Sequence, residues 1–385
     1  MAEDNQPANE GDQRERVRSL LERIIEPPEP PEALFAKSFL EIVSLYQVAA
    51  ALREVKAAAG PFERVENRGE RWYAVFAKGE AQVQLKTDEF GRVVLLTVQP
   101  VLSRVFDFDS AVEELERVPG LVSYLIRRNG ATLAARDPDR PCAVASAAKL
   151  AVLAATKDAV LSRRVRWDDV FSLDSDWRSL PSGVLHDWPV GTPLTISTFA
   201  AQMMSISDNT ATDALISIIG AQNIERHAPH TRPFPTTRAM FFLKSAENEA
   251  LRNAYIAADY ASRLEILRAV ADEPLVRASS LLTKPVLDLE WYLSARELCG
   301  LAHYVNDLPV ARINPSFHTE GLNSMLYKGG SEPGVLNLTM CASGAAGRTC
   351  CASVTWNDPA QRIEEDGAVA AYRGLLQQIA AFEGC

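Results

Sequence analysis

An α/β (α+β) protein of two domains is predicted for this 385-residue chain by three features of its residue pattern. A helix-forming run before residue 60 is followed by four short strand-like runs, 62–67, 70–77, 80–86 and 92–99, separated by Arg-Gly, Lys-Gly-Glu and Asp-Glu-Phe-Gly turn signals. Further on, two strand-like runs joined by Asn129-Gly130, the strongest short hairpin signal, precede a long helical middle. Three more strand-like runs and a last helix close the chain, so a second sheet is split in sequence around a helical lobe.

Residues 1–31 are expected to lie ahead of the first domain: a polar, disordered tail over 1–12, a short charged helix over 13–25 and the stiff spacer Glu26-Pro27-Pro28-Glu29-Pro30-Pro31. A small α+β domain follows over 32–104. Its helix carries Phe35, Phe39, Ile42, Leu45, Leu52 and Val55 at amphipathic spacing and stops at Gly60-Pro61; the four strands form an antiparallel meander. Within it Lys78 and Lys86 read as surface lysines and Trp72 as a packing residue. The second domain, 105–385, begins with a helix at 109–118 and the hairpin Val122–Arg127 and Ala131–Ala135. Residues 211–300 are largely helical, with an Ala- and Leu-rich run at 250–271. The closing elements are Ser324–Lys328, Val335–Cys341, Cys350–Trp356 and a helix over 365–382.

Hydrophobic content of 47%, charged content of 23% and a net charge of -10 describe an ordinary soluble globular chain. The acidic balance argues against a nucleic-acid or anionic-membrane partner, and no run approaches membrane-spanning length. No signal peptide is visible, so the protein is expected to be cytoplasmic if residue 1 is the native start, and periplasmic or secreted otherwise. Six cysteines without a C-x-x-C predict reduced, mostly buried thiols rather than a disulfide framework. No cofactor is expected: the phosphate-cradling G-x-x-x-x-G-K-(S/T) loop is absent. His227 and His230 flank Pro229 and have no third ligand in view, so no metal is expected either.

The chemistry centres on Ser146, three residues before Lys149 in Ala-Val-Ala-Ser-Ala-Ala-Lys-Leu. Residues i and i+3 share a helix face, so the Lys149 amine can reach the Ser146 hydroxyl, and a desolvated amine can serve as the base that a weak alcohol nucleophile needs. Alone, S-x-x-K is a weak signal; a serine cap beside a surface lysine explains it equally well. Two partners strengthen it. One is Ser207-Asp208-Asn209, and the other is Lys328-Gly329-Gly330-Ser331.

The order of these strings and of the elements around them resembles the class A β-lactamases and penicillin-binding proteins over roughly 105–385. Thr237-Arg238 before Phe241-Phe242-Leu243-Lys244, then Glu290-Trp291-Tyr292, then Tyr327 through Gly334 sharpen the likeness. With the small domain in front, the chain looks like the two-domain serine hydrolases of the clavulanic-acid gene-cluster type. Their N-terminal domain is similar to the steroid isomerase and cystatin-like folds, and their chemistry is esterase or acyl transfer with poor β-lactam ring hydrolysis. The resemblance implies a small-molecule substrate, an ester or amide lying beside a carboxylate; it implies that Ser146 is acylated, Lys149 accepts its proton, and Ser207 relays a proton to the leaving group. It implies that Lys328 holds Ser207 and the substrate carboxylate electrostatically and that Asn209 binds a substrate amide. The N–H groups of Ser146 and Ser331 would form the oxyanion hole, with the Ser331 hydroxyl on the carboxylate and Gly330 kept bare for the substrate.

Two departures bear on activity. Gly329 lacks the hydroxyl usual at the second position of the third motif. The deacylating E-x-x-L-N is not matched either: Glu247-Asn248-Glu249-Ala250-Leu251-Arg252-Asn253 has the residue types at other offsets. Its glutamates read as an exposed acidic helix start. The alternatives are a true class A β-lactamase using Glu247 or Glu249 as base, or a β-lactam-binding sensor that stays acylated.

Overall fold

The computed structural model describes residues 10–68, 71–77, 79–98, 102–103, 107–314, 322, 324–343 and 348–381. Lys78, Cys385 and residues 1–9 of the expected tail lie outside them. The chain divides into two units, Met1–Ala111 with Val369–Leu375, and Val112–Ala368 with Leu376–Cys385.

In the first unit, α1 (Glu10–Ile25) is no part of a tail. Its Leu21, Ile24 and Ile25, at i, i+3 and i+4, are fully buried in one core with Phe35, Phe39, Ala74 and Phe76. The spacer after it is pinned because Lys56 Nζ donates to the carbonyls of Glu26 (3.0 Å) and Pro27 (2.9 Å). The single helix expected from residue 32 is instead a 3₁₀ turn (Glu32–Leu34), α2 (Lys37–Leu40) and α3 (Leu45–Ala59). The break has a local cause: Ser44 and Gln47 form a reciprocal capping box that starts a new helix, leaving Ile42 83% exposed. The expected meander is present as β1 (Phe62–Arg68), β2 (Arg71–Phe76), β3 (Gly79–Thr87) and β4 (Val93–Val98), and β5 (Leu102–Ser103) adds to β3. Trp72 packs against the core and Lys86 is exposed.

The second unit starts in α4 (Phe108–Arg117) and continues into β6 (Leu121–Arg128) and β7 (Ala131–Arg136). Asn129 (φ 50°) and Gly130 (φ 83°) turn that hairpin, as the dipeptide predicts. Then come β8 (Cys142–Ala143), a 3₁₀ turn (Ala145–Ala148) and α5 (Lys149–Leu161). The helical lobe holds the small pair β9 (Val170–Ser172) and β10 (Pro193–Thr195), followed by α6 (Ile196–Ser205), α7 (Asn209–Ile219), α8 (Ala221–Ile224), α9 (Thr237–Leu243), α10 (Glu249–Ala257) and α11 (Tyr260–Ala269). Asp259 divides the expected 250–271 helix by capping α11 through Ser262 N (2.9 Å). The strand β11 (Tyr292–Leu293) pairs with β8, and α12 (Ala295–Val305) leads to β12 (Met325–Glu332), β13 (Val335–Ser343), β14 (Thr349–Asn357) and α13 (Glu365–Ala381). The sheet runs β12-β13-β14-β6-β7, all antiparallel, so the early hairpin joins the late strands as expected.

Every residue of α5 from Lys149 to Thr156 is buried. A helix apolar on all sides belongs at the centre of a lobe, and α5 packs against α7 and α12 there. One cysteine expectation is corrected. Cys299 on α12 and Cys351 on β14 form a disulfide with Cα atoms 5.9 Å apart, because the helix lies against the sheet. Their separation of 52 residues gave no hint of it. Cys142 and Cys341 are free and buried.

The β12–β13 turn, Pro333-Gly334, gives a test of this frame. Gly334 has φ +75°, and a Cβ there would meet the Asp358 carbonyl and lie 2.7 Å from Pro285 Cβ. Gly334→Ala should therefore lower stability by more than about 1 kcal/mol, read as a drop in melting temperature.

Candidate active site

The three motifs meet at the start of α5. Lys149 is 3% exposed, which excludes a surface lysine, and its Nζ lies 3.2 Å from Ser146 Oγ. It also donates to Ser207 O (2.7 Å), Ser207 Oγ (2.9 Å) and Asn209 Oδ1 (2.6 Å). Burial, and then the nearby charge of Lys328, hold the Lys149 amine well below the ordinary lysine range. Ser146 itself caps no helix; it sits half-buried in the 3₁₀ turn ahead of α5.

Both serines follow from unusual backbone. Ala145 (φ 45°) precedes Ser146, and Ser207 (φ 57°) is itself in the left-handed region. Such positions cost about 1–3 kcal/mol each and persist only where neighbours over-determine them. At Ser207 those neighbours are explicit: its carbonyl accepts from Lys149 and from Ser182 Oγ (2.7 Å). Asp208, fully buried, caps α7 through Ala211 N (2.8 Å) and accepts from Val184 N (2.7 Å) and Leu185 N (2.9 Å). Gly183 (φ +100°) must be bare, since its Cβ would come within 2.6 Å of Asp208 Cα.

The third motif lies on β12. Period-2 alternation puts Lys328, Gly330 and Glu332 on one face. A Cβ on Gly330 would collide with the Val144 carbonyl and sit 2.6 Å from Ser146 N, so Gly330 is bare first of all for the turn that carries Ser146. Asn357 fixes that turn from the other side, bonding Ala143 N and Ala143 O at 2.9 Å each. Lys328 is buried and donates to Gly329 O (2.6 Å); burial brings its pKa down to about 7. Ser331 is exposed and its hydroxyl donates to Glu365 Oε1 (2.6 Å), so in this structure it is engaged by a carboxylate of the chain itself. At Gly329 the phenol of Tyr327 occupies the space a Cβ would need.

Glu247 and Glu249 are exposed and line no part of the cavity at Ser146. The stretch around them caps α9 instead. Asn248 Nδ2 donates to Phe242 O (2.8 Å), and Arg252 donates to Leu243 O (3.1 Å) and Ser245 O (2.9 Å). His227 bonds Asp158 (2.8 Å) and His230 faces Glu297 (3.3 Å), so the two histidines have separate partners.

Other charged groups near the site were given no role from the sequence, although Lys244 and Glu290 stand in strings that sharpen the resemblance. Asp213, buried on α7, accepts from Thr237 N (2.6 Å), Thr237 Oγ1 (2.9 Å) and Arg238 N (2.8 Å), and burial raises its pKa to about 6. Lys244 is buried between Glu290, which it contacts closely, and Glu332 at 3.3 Å. Burial works against the Lys244 charge, but the two carboxylates outweigh it and its pKa is raised. Burial also pushes Glu290 up to about 7. The signal was available: a lysine closing the apolar run Phe241–Leu243 needs a buried counter-charge.

A serine hydroxyl facing a desolvated amine, with a second hydroxyl on that amine, is the arrangement that lysine-assisted serine acyl chemistry requires. Residues 112–278 match the family model described as beta-lactamase enzyme family, and this segment contains Ser146, Lys149 and Ser207-Asp208-Asn209. Over these residues the chain is similar to the beta-lactamase enzyme family. No curated protein matches the sequence. Among solved structures it is similar to a beta-lactamase from Sphaerobacter thermophilus DSM 20745, at 21% identity over 71% of this chain and 96% of that one, with TM-score 0.49. It is also similar to PBP-A, at 16% identity over 70% and 94%, TM-score 0.43. A class A beta-lactamase from Bacteroides cellulosilyticus DSM 14838 gives 13% identity over 71% and 95%, TM-score 0.46.

Gly330 offers a local test. In Gly330→Ala the clash is with backbone, so the cost should fall at or above the upper end of the ~1–3 kcal/mol usual for overpacking. Because Ser146 N must move, acylation should be lost before the fold is, measured by adduct formation at temperatures below the variant's melt.

Proposed function

We propose that Ser146 forms an acyl-enzyme with a carboxylate-bearing, β-lactam-like ester or amide, and that esterase or acyl-transfer chemistry outweighs β-lactam ring hydrolysis. The observation that carries this reading is the shared amine: Lys149 Nζ is within 3.2 Å of Ser146 Oγ and 2.9 Å of Ser207 Oγ. Lys149 takes the Ser146 proton as Oγ attacks. Ser207 passes a proton to the leaving group, and Asn209 orients a substrate amide. Lys328 draws the carboxylate, with the N–H groups of Ser146 and Ser331 receiving the oxyanion.

The exposure of Glu247 and Glu249 weighs against a class A β-lactamase that uses either of them as base. The bond from Ser331 to Glu365 and the bare Gly329 support weak ring hydrolysis, because they leave Lys328 as the main carboxylate anchor. The exposed glutamates equally favour a second reading, a β-lactam binder that stays acylated. The domain division at 32–104 and 105–385 belongs to this proposal, with α1 counted in the first domain because its apolar face is in that core. Of the compartments considered, the Cys299–Cys351 bridge supports an oxidising one, periplasmic or secreted.

A chromogenic cephalosporin carrying a 3′-acetate, followed by intact mass spectrometry, tests the reading. A transient adduct on Ser146, absent in Ser146→Ala, with acetate released and the ring intact, is the expected result. A long-lived adduct would favour the binder, and rapid ring opening a working β-lactamase.

The pH profile of kcat/KM should be bell-shaped. Lys149 must be unprotonated to accept a proton, so activity is lost as pH falls through its lowered pKa. Lys328 must be protonated to attract a carboxylate, so activity is also lost as pH rises through about 7. In Lys328→Arg, whose guanidinium does not titrate in this range, the alkaline limb should move up and out of the accessible range.

A further inference from the structure

We propose that Glu332 is the general base of deacylation, taking the place of the E-x-x-L-N glutamate that this chain does not match. The inference rests on the acyl-enzyme reading above and adds to it the residue that activates water.

Three observations converge on Glu332. First, it lines the same cavity as Ser146 and Lys149. Among the described residues of that lining, only Lys149 and Glu332 are acid–base groups, and Glu332 is the one carboxylate. The remaining walls are mostly apolar, from Val152, Ile216, Phe234, Phe241 and Trp291, and the free space is close to what a single water needs. The Thr237 hydroxyl at the wall is already bonded to Asp213 (2.9 Å) and Ser179 (2.7 Å).

Second, the strand fixes where Glu332 stands. Gly330 abuts Ser146 N, and Glu332 is two residues further along the same face of β12, about 7 Å on. A glutamate side chain can span much of that interval toward the acyl carbon. Third, the carboxylate is anchored at one end only. Lys244 holds Oε2 at 3.3 Å, while Oε1 has no hydrogen-bond partner among the described residues. Lys244 is itself fixed by Glu290, so the carboxylate is braced by buried neighbours rather than by a mobile loop. Among the described residues the Trp291 indole N–H, buried at the same cavity, is also unpartnered, which suits a polar guest there.

In the step proposed, the water oxygen bonds to the acyl carbon while its proton passes to Glu332. The bond from that carbon to Ser146 Oγ then breaks, and the proton held by Glu332 returns to Oγ. Product acid leaves, and Ser146 and the Glu332 carboxylate are both restored, so water is the only co-reactant.

The test compares the full-length wild type with Glu332→Gln, using the 3′-acetate cephalosporin and rapid-quench intact mass spectrometry. Acylation should proceed at a comparable rate, and the adduct should persist on the order of 10²–10⁴-fold longer, the range a general base supplies. Equal adduct lifetimes would overturn the proposal. Should glutamine at 332 block acylation by upsetting Lys244, Glu332→Asp keeps the charge and withdraws the carboxylate by one methylene. An adduct outliving that of the wild type then supports the role, and an unchanged lifetime overturns it. If neither wild type nor variant forms adduct or product, the acyl-enzyme reading itself has failed, and the role of Glu332 with it.

Discussion

The buried amine of Lys149 is the constraint on which the site depends. An unpaired ammonium in an apolar lobe costs several kcal/mol, so oxygen atoms must be delivered to it. They come from Ser207 and Asn209, on a turn that has to bend through a left-handed φ to present them. The turn holds because Asp208 serves as helix cap and as acceptor for the 184–185 backbone. That double use in turn forbids a side chain at Gly183. One desolvated amine thus accounts for the S-D-N string, the loop folded over it and a glycine many residues away. The same desolvation holds the amine's pKa well below the ordinary lysine range.

The second constraint is the approach of β12 to the Ser146 turn. Val144 O, Ser146 N and Ala147 N lie where a Cβ of residue 330 would be, so sheet edge and helix lobe meet backbone to backbone. The Asn357 amide completes the clamp by pairing both backbone groups of Ala143, as a neighbouring strand would. Rigid elements on both sides position Ser146, which is the condition for pre-organised chemistry. On the outer face of the strand, Tyr327 and Glu365 take up the space and the hydroxyl that a carboxylate anchor would use. The inner face of the strand is committed to the Ser146 turn, and the outer face to Tyr327 and Glu365.

Much of this was legible in the residues. The meander, the Asn129-Gly130 hairpin, the helical middle and the three late strands follow from periodicity and turn chemistry, which are local. Three motifs in order brought Ser146, Lys149, Ser207 and Lys328 to one place because each depends on a short string. What was not legible depended on long-range packing. Phe35 through Val55 read as one helix because periodicity cannot see that the Ser44–Gln47 box restarts the chain. Helix α1 read as peripheral because its charges outnumber its apolar residues, although Leu21, Ile24 and Ile25, with Val17 and Leu20 beside them, suffice to meet the core. Cys299 and Cys351 are neighbours only through the stacking of α12 on the sheet.

The placement of carboxylates follows the same division between local and distant causes. Glu247 and Glu249 have the residue types of a deacylating loop, yet Asn248 and Arg252, set i and i+4, turn inward to satisfy the carbonyls at the end of α9. Helical geometry then sends Glu249 outward. A carboxylate at an apolar cavity needs a compensating cation, and the one paired with Glu332 is Lys244, at the end of that same helix. Capping α9 with Asn248 and Arg252 fixes where Lys244 emerges, and Lys244 fixes which glutamate is retained at the serine. The end of α9 is thus held by Asn248 and Arg252 on one side, while Lys244 beyond it pairs with Glu332 on β12.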